Sequence, residues 1–381
     1  MRGETVLDET SRRHAFPSLE GMTYLNTAAE GIPPLVVGEA LQQYFQDKQL
    51  GMDGREPHMA QREAAKALVA EMLGLTAGEI GICSSSSEAF NLAAMALQLQ
   101  PGDEVVINDL DFPAGSTPWL QPVCPATVKR WRARDGGLRV EDLVLLLGPR
   151  TRLVTASLVS YYNGFMLCLP AVAEAVRHHS PALFALDVTQ ALGRVPLELT
   201  GVDLIVGSTH KWILASHGGG LVGVPRARAR EWTVPAGGWF NLQDPFGPGG
   251  FEQAASKPGA ASFTVGMPNY AAIYAVRAAL EYIQGVGVRE IDRAARPLTR
   301  ACLERLTKLP VELITPRDPE ALAGILAFRH PALEEVQRRL HSENIHVMCH
   351  AGRIRVSIHG YNTAADIERF LNKLEEALRH A

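Results

Sequence analysis

Apolar residues along this chain fall into two alternating patterns. Short unbroken apolar runs (80–83, 104–108, 152–160, 183–186 and 203–207) each end in a polar cluster. Such runs read as strands buried on both faces, and the last two look like parallel neighbours presenting polar groups at their carboxyl ends. Between them, apolar residues recur at helical spacing. A helix over about 34–50 would bury Val37, Leu41, Tyr44 and Phe45, and one over 58–73 would bury Ala65, Leu68, Val69 and Met72. A third follows the serines 84–87, with Phe90, Ala93, Met95, Ala96 and Leu97 as its apolar positions. A crossover helix over 170–178 has Pro170 in its first turn, where proline is tolerated. Strand and helix in alternation predict an α/β fold with a mostly parallel sheet.

Past this region the pattern changes. Residues 219–224 read as an antiparallel strand, and 235–262 are a long irregular segment rich in glycine and proline. Loops of this length inside a compact domain are usually functional. A long helix over 269–284 leads into helix 288–308, strands 311–314 and 324–329, helix 331–342, strands 346–349 and 353–358, and helix 364–378. Thr363 caps the last helix, whose buried stripe is Ile367, Phe370, Leu371, Leu374 and Leu378. The expected division is a large domain over 20–270 and a smaller α+β domain over 271–381. Residues 1–19 pack on one or the other.

Composition removes several function classes. With 381 residues, 46% hydrophobic and 20% charged, the chain can bury a large core, and a net charge of −4 offers no basic field for nucleic acid. No run reaches the ~18–20 apolar residues of a membrane span. The N-terminal stretch is polar and carries acids, unlike a signal or transit peptide. Five cysteines (Cys83, Cys124, Cys168, Cys302 and Cys349) lack CxxC spacing, which implies free thiols in a reducing compartment, most simply the cytoplasm, and no metal site. His350, beside Cys349, has no second ligand at a useful spacing.

The chemistry concentrates between Asp187 and Lys211. The first of the paired runs delivers Asp187 and Gln190, and the second delivers Ser208, Thr209, His210 and Lys211. An acid to hold a pyridinium proton, a hydroxyl or amide for a phenolate, hydroxyl and imidazole donors for a phosphate, and an amine for an aldehyde are together what pyridoxal 5′-phosphate needs. Upstream, Ser86 and Ser87 stand between a strand end and a helix start, where free N–H groups and the helix dipole favour an anion.

Asp187, Gln190, Gly193, Ser208, His210 and Lys211 fit the pattern Asp-x-x-Gln-x-x-Gly followed by Ser-x-His-Lys. In this the chain resembles the class-V aminotransferase family of fold-type-I enzymes, which includes cysteine desulfurases, kynureninase and isopenicillin-epimerase-like proteins. The likeness runs from about Tyr24 to Leu378. It implies a Schiff base on Lys211, which also acts as base, with Asp187 on the ring nitrogen. Ser86, Ser87, Ser208 and His210 would hold the phosphate. Phe112 takes the place of a stacking histidine and cannot carry a proton. Gln190 is preferred for the phenolic oxygen, with Tyr161 and Asn163 as alternatives. Ala28, in the Asn26–Ala29 loop, and Arg355 would meet the substrate, Arg355 gripping its carboxylate through a planar two-pronged fit.

The resemblance also implies a two-fold homodimer in which the 235–269 segment covers the partner's site, with Trp239, Phe240, Phe246 and Phe251 as apolar anchors. Within the stretch 261–272 two positions depart from the family's motif: Ser262 stands for arginine and Met267 for threonine. Cys349 lies too close to Arg355 to act as a desulfurase cysteine. The implied function is transamination of an amino acid, with epimerisation or elimination as alternatives, and a non-catalytic pyridoxal-phosphate binder as the rival from another class.

Overall fold

The computed structural model describes residues 9–249 and 252–380. Seven strands form one sheet: β1 (Ile80–Cys83), β2 (Glu104–Asn108), β3 (Thr127–Trp131), β4 (Thr151–Ser157), β5 (Leu183–Asp187), β6 (Leu204–Ser208) and β7 (Gly220–Gly223). Their spatial order is β1-β7-β6-β5-β4-β2-β3, and only β7 runs antiparallel to its neighbours. Strands β1, β2, β5, β6 and β7 are buried throughout, which is why their sequences show no alternation. Edge strand β3 escapes the apolar criterion: it is largely exposed and carries Lys129 and Arg130, charges that discourage edge pairing.

A second, four-stranded antiparallel sheet lies toward the C-terminus. It contains β8 (Glu312–Leu313), β9 (Ile325–Arg329), β10 (Met348–His350) and β11 (Arg353–Ser357), in the order β10-β11-β9-β8. One face packs Ile354 and Val356 with Phe370, Leu371 and Leu374 of the last helix. That helix, Ala364–Arg379, starts with a capping box: Thr363 Oγ1 accepts from Asp366 N, and Asp366 Oδ2 accepts from Thr363 N. Near the N-terminus, Arg12 pairs with Asp366, and Phe16 packs against Tyr282 and Tyr361, so this stretch packs on the chain beyond residue 270.

Two expected helix faces are corrected. Helix Leu35–Gln49 buries Val37, but leaves Leu41 37% and Phe45 60% exposed. In helix Ser86–Leu97, Phe90 and Ala93 are buried whereas Met95 is 46% exposed. Among the described residues, the segment after β7 has no strand and only short 3-10 turns before helix Tyr270–Val286; Phe251 lies outside the described residues. No described helix is long and apolar enough to cross a membrane.

Candidate active site

The parallel strands converge at their polar ends. Ser157 and Asp187 are register partners at the ends of β4 and β5, and β6 ends beside them at Ser208. The connection between β5 and β6 needs glycine at 193: its φ is +86°, and a Cβ there would lie 2.9 Å from Trp212 O. The turn after β1 adds the serines. Ser85 caps helix Ser86–Leu97 by accepting from Glu88 N, which accounts for one hydroxyl, while Ser84 bonds to the Glu88 carboxylate.

These elements enclose a cavity of about 170 Å³ lined by Ser86, Ser87, Phe112, Ser157, Tyr161, Asp187, Gln190, Ser208, His210 and Lys211, together with Ser85 and Thr189. Its volume exceeds the ~150 Å³ that admits a benzene ring. At one end, Ser208 Oγ donates to Ser86 Oγ (3.0 Å) beside the helix N-terminus. At the other, Asp187 is 6% exposed, Oδ1 accepts from Thr189 N (2.7 Å), and the carboxylate lines the cavity wall. Phe112 is 43% exposed, so it is no core filler, and its ring centre lies 5.2 Å from Lys211 Nζ.

Electrostatics in the cavity favour a reactive amine. Burial lowers the Lys211 pKa, and nearby Arg355 lowers it further, against the pull of Asp187. Burial raises Asp187, opposed by its bonds from Thr189 and by Lys211. His210 is pushed down to about 4 by burial, Lys211 and His217, which keeps its imidazole neutral. That ring stacks on His217 (centroids 4.5 Å apart), whose Nε2 lies 3.1 Å from Glu30 Oε1.

Three expected residues lie outside the cavity wall. Ala28 is buried behind Gln190: its N–H donates to Ser357 Oγ (3.1 Å), and its carbonyl accepts from Gln190 Nε2 (3.1 Å). Asn163 lines a different hollow, and its amide is spent on Gly136 O, Ile314 O and Phe165 N. Arg355 stands at the edge and donates through Nη1 to Tyr161 O (2.9 Å). Gln190 Oε1 accepts from Trp212 Nε1 (2.6 Å), which leaves one amide N–H uncommitted. Ser262 is buried and spent within its own loop, accepting from Val234 N and donating to Gly259 O.

One titratable group beneath the site had no role in the sequence. Asp111 Oδ1 accepts from Ser157 N (2.6 Å), and burial raises its pKa to about 7, with Asp187 adding repulsion against the Ser157 bond. Its folded pKa stands above the ordinary 3.8, so folding binds the proton more tightly and stability falls as pH rises from about 4 through about 7. Asn at this position keeps the acceptor and cannot ionise. Asp111→Asn should therefore match the wild type near pH 4 and gain up to about 4 kcal/mol at pH 8, at about 1.36 kcal/mol for each pH unit between the two values. Parallel pH dependence of the two melting curves would contradict this.

A model of the aminotransferase class-V family matches residues 23–370. The chain belongs to the aminotransferase class-V family. It is 25% identical to the uncharacterized aminotransferase YcbU of Bacillus subtilis, over 97% of this chain and 98% of that protein. It is 29% identical to a probable cysteine desulfurase of Mycolicibacterium paratuberculosis, over 96% of this chain and 58% of that longer protein. Among solved structures, a cysteine desulfurase from Thermococcus onnurineus NA1 superposes with a TM-score of 0.89 at 21% identity, covering 98% of each chain. A mutant of C-DES, which carries glycine covalently linked to its PLP cofactor, superposes at 0.87 with 22% identity, covering 96% of this chain and 99% of that one. The protein is thus a pyridoxal-phosphate-dependent class-V enzyme with the fold-type-I architecture.

The cavity fits that cofactor on its own chemistry. Hydroxyls at a helix N-terminus match a phosphate, the buried Asp187 carboxylate in the cavity wall matches a ring N–H, and a buried amine matches an aldehyde.

Proposed function

We propose that this enzyme is an aminotransferase acting on an α-amino acid. The observation that supports this reading best is the make-up of the Lys211 cavity: one amine, no thiol, and a phenyl ring at Phe112. Bound there, pyridoxal phosphate supplies an aldehyde for the amino group and a ring that takes up the electron pair of a bond broken at Cα. Ser86, Ser87, Ser208 and His210 hold the phosphate, and neutral His210 serves as a hydrogen-bond donor. The Asp187 carboxylate would keep a proton on the ring nitrogen, and the uncommitted N–H of Gln190 would serve the phenolic oxygen. Phe112 packs on the ring and carries no proton. Proton transfer at Cα therefore falls to Lys211 Nζ, whose burial favours the uncharged base. Arg355 orients the α-carboxylate, which sets the bond that breaks.

A thiol-based desulfurase is disfavoured by position. Cys349 lines a separate groove with Arg338 and His350, and burial raises its pKa. A two-base epimerisation finds no proton carrier in Phe112, whose ring lies 5.2 Å from Lys211 Nζ.

A homodimer belongs to the same proposal. Leu35, Val36, Leu41 and Phe45 expose apolar area on one helix, and Phe246 of the irregular segment is 82% exposed. The large domain over 20–270, the small domain over 271–381 and a cytoplasmic location complete it.

The test is a half-reaction screen without acceptor, on protein whose mass is measured by sedimentation. A transaminase releases one 2-oxo acid per bound cofactor and then stops. Cys349→Ser behaves as wild type, and sedimentation gives twice the chain mass. Sustained release of sulfide or ammonia, racemised substrate without oxo acid, or a monomer would each refute the corresponding part.

A further inference from the structure

Arg353 and Arg355 leave β11 on the same face, because side chains two apart on a strand point the same way. They are only 1% and 3% exposed. Buried cations are normally paired, since leaving water is costly. Among the described residues, neither has a carboxylate within salt-bridge reach. Each instead holds a carbonyl of the loop that borders the Lys211 cavity. Arg353 Nε donates to Tyr162 O (2.9 Å) and Nη1 to His350 O (3.2 Å), while Arg355 Nη1 donates to Tyr161 O (2.9 Å).

Two donors are left over. Arg353 Nη2 and Arg355 Nε are buried without a hydrogen-bond partner. The neighbouring Arg329 differs, being committed to Glu312 (2.9 Å) and the Tyr162 hydroxyl (2.8 Å). Burial, then the charge of Arg353, brings the Arg355 pKa down to about 10, so the two guanidiniums oppose each other with no acid between them. One α-carboxylate on Arg355 answers one of the two charges. The other remains.

We propose that Arg353 is a second anion subsite and that the substrate is a dicarboxylic α-amino acid, its side-chain acid meeting Arg353 while its α-carboxylate meets Arg355. This rests on the roles given above to Lys211 and Arg355. Tyr161 connects the two places. It lines the Lys211 cavity, its ring centre is 5.0 Å from that of Phe112, and Arg353 Cζ stands 5.5 Å from it. The side-chain acid displaces the half-buried Tyr161 ring from the guanidinium, exchanging a cation–π contact for a charge-assisted pair on the free Nη2. A purely structural Arg353 would be served as well by a neutral amide donating to the same carbonyls.

Glutamate against glutamine, and aspartate against asparagine, isolate the charge, because each pair has nearly one shape. In half-reactions of the wild-type holoenzyme, the acid of at least one pair should exceed its amide in kcat/KM by on the order of tenfold or more. Arg353→Gln should bring that ratio close to one, and Arg353→Lys should keep part of it. A second readout needs no turnover: calorimetric binding of glutarate to cofactor-free protein should weaken severalfold in Arg353→Gln. Wild-type ratios at or below one, a ratio unchanged in Arg353→Gln, or glutarate binding that is absent or insensitive to the substitution overturn the subsite. Half-reactions confined to neutral amino acids overturn it while leaving the aminotransferase reading intact. No half-reaction with any amino acid overturns both.

Discussion

Lys211→Ala is expected to lower turnover on the order of 10⁴-fold, the upper range for losing a positioned general base. The substitution removes the amine that takes the Cα proton and also the group that links the cofactor covalently. No other amine lines the cavity, and His210 is held neutral on the phosphate side, so no neighbour substitutes. Folding should survive, because among the described residues Lys211 makes no salt bridge that alanine would break, and its side chain faces the cavity. Ser86, Ser208 and the helix N-terminus are untouched, so pyridoxal phosphate should still bind and then be lost on dialysis. Turnover within tenfold of the wild type would show that Lys211 is not the base.

The second large effect is expected at Asp187. Removing its carboxylate should lower turnover roughly 10²–10³-fold, as for loss of one preorganised electrostatic partner of the developing charge. Cofactor affinity should change only severalfold, since the phosphate donors sit at the other end of the cavity. Asp187→Ala also leaves Thr189 N–H without its acceptor, a structural cost of about 1–3 kcal/mol. Asp187→Asn keeps an acceptor for that N–H and removes only the charge, so it should match the alanine variant in turnover and exceed it in melting temperature. Near-normal turnover in Asp187→Asn would mean the carboxylate serves something other than the ring nitrogen.

The sequence was most informative where local chain geometry and chemistry coincide. Asp187 and Lys211 each follow a buried apolar run, so their meeting needs only that the two strands be parallel neighbours, and they are. The serines were legible as well, because a strand end joined to a helix start makes an anion site by itself. What escaped depends on distant partners. Asp111 looks like an ordinary loop acid until Ser157 and Asp187 close over it. Arg353 looks like a surface strand residue until Tyr161 and Tyr162 bury it. Asn163 was offered to the cofactor by proximity in sequence, yet the turn it stabilises spends its amide. Leu41 and Phe45 match a helical stripe, but Leu35–Gln49 turns other positions toward Tyr270–Val286. Periodicity marks apolar positions and does not say which chain covers them.

Whether Lys211 carries the cofactor in this cavity can be measured directly. Purified protein equilibrated with pyridoxal phosphate is reduced with borohydride, digested and mapped by mass spectrometry. A single pyridoxyl group is expected, on Lys211, and none in the Lys211→Ala protein. A pyridoxyl group on another lysine, or none on the wild type, would contradict it.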